Sequence, residues 1–337
     1  MKKKIIVIGD LHLGKFGDDI SLFVKFILKV VLPQCDKDTI LVFVGDQFET
    51  SNANIVLLNA IIEIFNKIHN TVHSAYFLIG NHDTWKHEDI SVNMSAIFSV
   101  YPNFKVIEND IVEINNKKFH FLSFHKDINK IRAAVESSDA HYLVCHEEIN
   151  EFFYDKFRPI NGGIGLTELE KFEVVFNGHI HRKQTNKNVW IVGTPYQMKY
   201  GDAGNECGMH IFDTDTNEVT FVENEHYPKY HKLSYEEVTA EEFDAEDYED
   251  SNVWVVESKD DSNVCELLKG SGLNSLRVNT MVVNEDVPDD FVYEHKEDVT
   301  ENVSEYLQTI KEIPINGKIL DVNDDLVQKL TVLSNSL

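Results

Sequence analysis

The sequence predicts an α/β fold: a parallel sheet built from strand–helix–strand units, followed by a smaller α+β domain. Three observations predict it. The first 83 residues alternate short apolar runs with stretches of helical period. Five apolar runs each end in a residue type that can ligate a metal, at the strand ends where open α/β sheets carry their chemistry. The composition turns sharply acidic after about Glu225. A chain of 337 residues is long enough for two domains, and these shifts set them at 1–225 and 226–337.

The elements follow in order. Lys4 to Ile8 is an apolar run that stops at Gly9-Asp10-Leu11-His12. The basic lead-in Met1-Lys2-Lys3-Lys4 starts like a signal peptide, but Ile5 to Ile8 is too short for its apolar region, so a first strand is expected. Asp18 or Asp19 can cap a helix that turns Leu22, Phe23, Phe26, Ile27 and Val30 to one face, with Pro33 beyond its end. The run Ile40 to Val44 ends in Gly45-Asp46. Asn52 or Asn54 then opens a second helix, with Val56, Leu57, Ile61, Ile64, Phe65 and Ile68 inward. The run Phe77-Leu78-Ile79 ends in Gly80-Asn81-His82-Asp83. Right-handed crossovers would join these three strands in parallel.

A third helix is predicted over Val92 to Val100. Val106–Ile114 and Phe119–Phe124 flank Asn115-Asn116, a hairpin signature, and Asp127 to Glu136 reads as helix. Two further strands end at His146 and at Gly178-His179-Ile180-His181, with the loop Asn161-Gly162-Gly163 between them. Val189–Val192 runs into Gly193-Thr194-Pro195, and Met209–Asp213 with Val219–Val222 forms a closing hairpin. Tyr235 to Asp250, dense in acid, reads as a solvated linker. Strands at Val253–Val256 and Leu276–Val283 follow. Two helical stripes end the chain: Val303, Tyr306, Leu307, Ile310 and then Val322, Leu326, Leu330, Leu333.

Charge narrows the function. The net charge is −26, and residues 226–337 carry 26 acidic against 9 basic side chains. Polyphosphates are gripped mainly by Lys and Arg, so binding to nucleic acid would need a local basic patch, metal ions or a partner. Lys15, Arg132, Arg158, Arg182, Lys183 and Lys199 flank the strand-end clusters and could form such a rim. The four cysteines (35, 145, 207 and 265) are widely spaced and make no C-x-x-C pair. That suits free thiols of a cytoplasmic protein better than a disulfide or zinc framework. No apolar run approaches the roughly 20 residues of a membrane span.

The strand-end clusters supply Asp10, His12, Asp46, Asn81, His146, His179 and His181, all nitrogen or oxygen donors. A structural zinc site more often uses cysteines and closes with four ligands. Seven donors suit two ions that share a carboxylate, and the mixture suits manganese, iron or zinc better than magnesium alone. Two cations could neutralise an anionic phosphodiester and activate water for in-line attack. His82 has a free imidazole beside a ligand and is the candidate general acid, with Asp83 expected to orient it.

In this order, these clusters resemble the calcineurin-like metallophosphoesterase family: Asp-x-His, Gly-Asp, Gly-Asn-His-Asp, a lone His, then Gly-His-x-His, over roughly residues 4–200. The resemblance implies a two-layered β-sandwich flanked by helices, the metallophosphoesterase fold, with the small α+β accessory domain appended. It further implies Asp10, His12, Asp46 and His181 on one ion and Asp46, Asn81, His146 and His179 on the other. Gly45-Asp46-Gln47-Phe48-Glu49 lacks the arginine of the phosphoprotein phosphatases. Gly9 to Gly14 and Gly193-Thr194-Pro195-Tyr196-Gln197 are instead similar to the double-strand-break-repair nucleases, and Tyr196 to Asp202 to their phage members. Glu49 departs from the usual Asp at a position that is not a ligand. For this subfamily the resemblance implies a manganese-dependent 3′-to-5′ exonuclease and single-strand endonuclease. It would work on DNA with a large coiled-coil ATPase, as a homodimer, in recombination, repair and replication. The rival readings are a phosphatase or small-molecule phosphodiesterase on the same fold, and an inactive scaffold.

Overall fold

The computed structural model describes residues 3–86, 89–155 and 157–280, and the backbone of 312–315 and 318–321. The chain divides into two compact units, Met1–Met281 and Val282–Leu337.

The first unit opens as expected. Strand β1 (Lys4–Ile8) leads to helix α1 (Ser21–Phe26), β2 (Thr39–Phe43), α2 (Ile55–Thr71) and β3 (Ser74–Leu78). Asn54 caps α2, its side chain accepting the Leu57 N–H at 3.0 Å. Ile20, not an Asp, stands at the N-cap of α1, but Asp19 accepts the N–H of its first residue, Ser21, at 2.8 Å; the helix continues as a π-turn over Ile27–Val31 and a 3₁₀ turn over Leu32–Gln34, so Pro33 lies inside the last turn. The helix predicted at Val92–Val100 is not α-helical. Strand β4 (Thr84–Lys86) pairs with β5 (Asp89–Asn93), and Asn93 caps a 3₁₀ turn over Met94–Val100. Its buried residues Ser95 and Phe98 stand three apart, the period of that tighter helix.

Strands β6 (Phe104–Ile107), β7 (Asn109–Ile114) and β8 (Lys117–Leu122) follow, the last two joined through Asn115 and Asn116, both at positive φ. Helix α3 (Ile128–Ser137), capped by Asp127, leads to β9 (Tyr142–Cys145), the short α4 (Leu166–Leu169) and β10 (Val174–Asn177). Strands β11 (Gln184–Asn186), β12 (Val189–Ile191), β13 (Gly208–Asp213) and β14 (Glu218–Glu223) complete two six-stranded sheets. One has the order β14-β13-β1-β2-β3-β6, the other β11-β12-β10-β9-β8-β7.

Alternation along the strands sorts the core into layers. Ile5, Val7, Ile40, Val42, Leu78, Phe121, Tyr142, Val144 and Phe176 fill the space between the sheets. Ile6, Ile8, Leu41, Phe43 and Phe77 face the opposite way and pack with Phe23, Phe26, Ile61 and Phe65 of α1 and α2. Leu143, Cys145 and Val175 pack with Ile131 and Val135 of α3. The result is the two-layered sandwich flanked by helices. The parallel strands β1, β2, β3, β9 and β10 all end at the edge where the five clusters lie.

Beyond Glu225, β15 (Tyr230–Ser234), β16 (Asn252–Ser258) and β17 (Ser275–Thr280) form a parallel sheet with a core of its own. Parallel strands need crossovers, which explains the segment expected to be a linker. Tyr235 to Asp250 carries helix α5 (Tyr235–Val238) and a 3₁₀ turn, with Val238 buried and Phe243 and Tyr248 packed on the sheet. Its acids point outward, which hides this apolar face from a compositional reading. Helix α6 (Asp261–Leu267) makes the second crossover. In the second unit, β18 (Glu312–Ile315) and β19 (Lys318–Asp321) pair as an antiparallel hairpin that the sequence reading had not marked. The two helical stripes at 303–310 and 322–333 lie outside the described residues.

Candidate metal centre

The candidate ligands sit on the tight turns after β1, β2, β3, β9 and β10. Three of them hold left-handed backbone that non-glycine residues seldom adopt: His12 (φ 47°), Asp46 (φ 49°) and His179 (φ 70°). Such strain persists where the surroundings over-determine it, and here it turns the side chains toward one another. Two glycines make the room. A Cβ on Gly80 would stand 2.1 Å from Asp46 Oδ1, and one on Gly178 would stand 2.7 Å from His146 Nδ1 and 2.8 Å from Asp10 Oδ1.

The seven side chains converge in two adjoining groups. Asp10, His12 and His181 form one, and Asp46, His146 and His179 the other, each with its donor atoms within 4.8 Å of one another; His82 meets the same criterion with His12 and Asp46, between the two. His12 Nε2 and His181 Nε2 are 3.1 Å apart. Asn81 Oδ1 lies 3.2 Å from His146 Nε2 and 2.9 Å from His179 Nδ1, which places it in the second group. Asp46 Oδ2 lies 3.2 Å from His146 Nε2 and 3.9 Å from His12 Nε2, between the two groups, where a shared carboxylate belongs.

The electrostatics fit cations. Asp10 is wholly buried, and neither carboxylate oxygen has a hydrogen-bond partner. Burial pushes its pKa up to about 7, with His146 pulling it back and Asp46 adding to the rise. A buried carboxylate without a partner is costly, and a divalent ion would supply one. Burial holds His12 and His179 below the usual imidazole range, so both are neutral and free to ligate. For Asp46 burial acts upward, but His146 and His12 prevail and hold it well below the usual carboxylate range. His146 is the counterpart: burial acts downward, and Asp46 lifts it to about 10. His179 and His12 thus stand ready as ligands, while His146 must release a proton to become one.

The ring nitrogens turned away from the centre face carboxylates or a carbonyl, two of them closely. His146 Nδ1 donates to Val44 O at 2.7 Å, and His12 Nδ1 lies 2.9 Å from Glu49 Oε2. His181 Nδ1 stands 3.9 Å from Asp202, and His179 Nε2 3.9 Å from Glu148. Such outer partners fix imidazole tautomers and orientation at metal sites. Sequence reasoning missed Glu49, Glu148 and Asp202. The signal for Glu49 was present, since it replaces the usual Asp four residues after Gly45.

Asp83 does not orient His82. Its carboxylate is buried and accepts N–H groups from Phe48 and Gly80, each at 2.9 Å, and so ties the second cluster to the third. Burial, helped by Asp46, pushes its pKa up to about 8. The His82 ring instead meets Glu49 O through Nδ1 at 2.8 Å, and the His82 N–H donates to Asp46 Oδ1 at 2.9 Å. The expected basic rim is largely neutralised. Lys15 pairs with Glu49, Arg132 with Glu168, Arg158 with Asp155 and Lys183 with Glu206.

A sequence model of the calcineurin-like phosphoesterase family matches residues 3–183, which contain every candidate ligand. The chain belongs to this family. The phosphoesterase is also 27% identical over 360 residues to exonuclease subunit 1 of Enterobacteria phage T4, across 99% of this chain and 98% of that protein. Among solved structures it is similar to an archaeal phosphodiesterase, at a TM-score of 0.34 and 14% identity over 66% of this chain and 99% of the other. A protein of unknown function from Aquifex aeolicus gives a TM-score of 0.30 and 12% identity over 47% of this chain and 83% of that one. The family works with divalent metals, as the donor set requires. No helix among the described residues is long and apolar enough to cross a membrane.

Proposed function

We propose that this phosphoesterase is a DNA nuclease working with two divalent metal ions, the nuclease subunit of a complex with a large coiled-coil ATPase. The observation that carries the reading is the end-to-end identity with a phage exonuclease subunit, joined to a complete set of seven donors. Manganese suits that donor set, with magnesium, iron and zinc as alternatives. The activities expected are 3′-to-5′ exonuclease and single-strand endonuclease, on DNA undergoing recombination, repair and recombination-dependent replication. The setting would be the host cytoplasm of a phage, with the subunit acting as a homodimer.

Asp10, His12, Asp46 and His181 would hold one ion, and Asp46, Asn81, His146 and His179 the other. When bound, the ions supply positive charge at the scissile phosphodiester and acidify water for attack. The chain's own residues do the rest. Glu49 O accepts the Nδ1 hydrogen of His82, which leaves Nε2 as the atom able to pass a proton to the departing alkoxide. Glu49 holds the His12 imidazole in place at 2.9 Å, and Glu148 and Asp202 put negative charge 3.9 Å from the His179 and His181 rings.

The rival is a phosphatase, favoured by the net charge of −26. Labelled single- and double-stranded DNA and a phosphoserine peptide, each incubated with the protein and manganese, separate the two. DNA cleavage with little phosphate release is expected. Rapid phosphoserine hydrolysis with intact DNA would make the protein a phosphatase.

A further inference from the structure

The outer face of the three-stranded sheet is built unlike the rest of this acidic surface. Strands β15, β16 and β17 are parallel and in register, so Lys232, Trp254 and Arg277 lie side by side across them. Alternation sends Leu233, Val253, Val255 and Val278 to the opposite face, into the core. Lys232 Nζ stands 4.9 Å from the centre of the Trp254 ring, and the Arg277 guanidinium carbon 4.5 Å from it. Both cations are exposed. An indole therefore holds the two charges by cation–π attraction, which leaves them able to meet an anion.

Aromatic rings continue this face toward the metal centre. The Tyr200 ring lies 5.6 Å from Trp254 and 5.0 Å from Tyr230. Phe157 is 88% exposed. Phe157, Tyr200, Tyr230, Lys232 and Trp254 line one open cleft of about 530 Å³. Asp155 is the acid in its wall, and Arg158 neutralises it at 2.6 Å. The loop that carries Tyr200 reaches the centre two residues on, where Asp202 stands by His181.

We propose that this cleft and the sheet face beside it bind single-stranded nucleic acid, with unpaired bases stacked on Phe157 and Tyr200 and phosphates held by Lys232 in the cleft and by Arg277 next to Trp254 at its edge. The inference rests on the nuclease reading for its direction into the metal centre. The chemistry argues for a single strand. Aromatic faces beside a basic track recognise unpaired bases, whereas a duplex keeps its base faces stacked. A net charge of −26 opposes phosphate overall, so a grip limited to two cations and a few rings favours a flexible strand that can enter a cleft.

The test measures anisotropy of a short labelled oligothymidylate with the full chain in a chelator, so that binding is read without cleavage. The double variant Lys232→Glu/Arg277→Glu should bind at least tenfold more weakly, and the slope of log affinity against log salt should shrink by about 1.4. Phe157→Ala should weaken binding about threefold or more at unchanged thermal stability. Lys67→Glu/Lys105→Glu alters net charge equally at a distant surface and should change affinity less than twofold. Equal weakening in the two double variants, no weakening in either, a wild type that does not bind the strand, or tighter binding of a duplex would each overturn the proposal. Because no metal is present, these outcomes are separate from the cleavage assay, whose failure would remove the nuclease reading alone.

Discussion

His210 lies on β13 with the Trp190 and Phe221 rings around it, and neither of its ring nitrogens has a hydrogen-bond partner. Burial, aided by nearby Lys183, lowers its pKa to about 4 from an ordinary 6.5. The folded state therefore holds this ring neutral where the unfolded chain protonates it. Between pH 6.5 and 4 the unfolded state binds more protons, so stability is full above that window and falls as pH drops through it. The loss amounts to roughly 3 kcal/mol at the acid end. His210→Phe should keep the packing and remove this dependence. Urea denaturation at pH 7 and pH 4.5 should give a smaller acid loss for the variant than for the wild type; equal losses would show that His210 does not titrate as described. At the metal centre, His82→Ala should keep two bound ions and lose roughly a hundredfold or more in turnover. His179→Ala should lose metal. An empty site in His82→Ala, by elemental analysis, would make His82 a ligand and not an acid.

Helix α2 separates the contributions of cap and core. Asn54 accepts the Leu57 N–H, and Asn54→Ala should cost about 1 kcal/mol. Phe65, on the same helix, is fully buried against the rings of Phe23, Phe43, Phe77 and Phe98. Phe65→Ala should cost about 3–5 kcal/mol. Urea midpoints at a constant slope check both, and a cap loss as large as the core loss would be the wrong result. This helix was legible because its apolar period is unbroken and a capping residue stands before it. Other elements were not, for physical reasons that can be named. The α1 helix widens into a π-turn at Ile27–Val31, a change that the apolar spacing does not announce. Val92 and Asn93 are taken up by β5 in its pairing with β4, and Met94–Val100 winds as 3₁₀, which the apolar spacing does not announce either. The Tyr235–Asp250 crossover hides three apolar anchors behind a row of acids. The strand-end clusters were legible because their residue types are ligands at turns. Asp83 was misassigned because adjacency to His82 says nothing about which way a buried carboxylate faces.

The whole molecule sets its charge against its centre. A net charge of −26 makes the folded state repel itself, and any cation will relieve that by screening. Buried Asp10, with no donor, asks for something more specific. Divalent ions that bind only the folded state should stabilise it by about 2.7 kcal/mol per site at a hundredfold excess over Kd. For a protein of this size that corresponds to a rise in Tm of roughly 4 °C for each site filled. Screening and coordination can be told apart. Sodium chloride at matched ionic strength supplies the first without the second, and His179→Ala keeps the surface charge while removing a ligand of one ion. Differential scanning calorimetry of the chelated protein should therefore show a large rise with manganese, a small one with sodium chloride, and a reduced manganese response in His179→Ala. If sodium chloride matched manganese, or if His179→Ala responded in full, the stabilisation would belong to the acidic surface, and the seven donors would not be working as a metal centre.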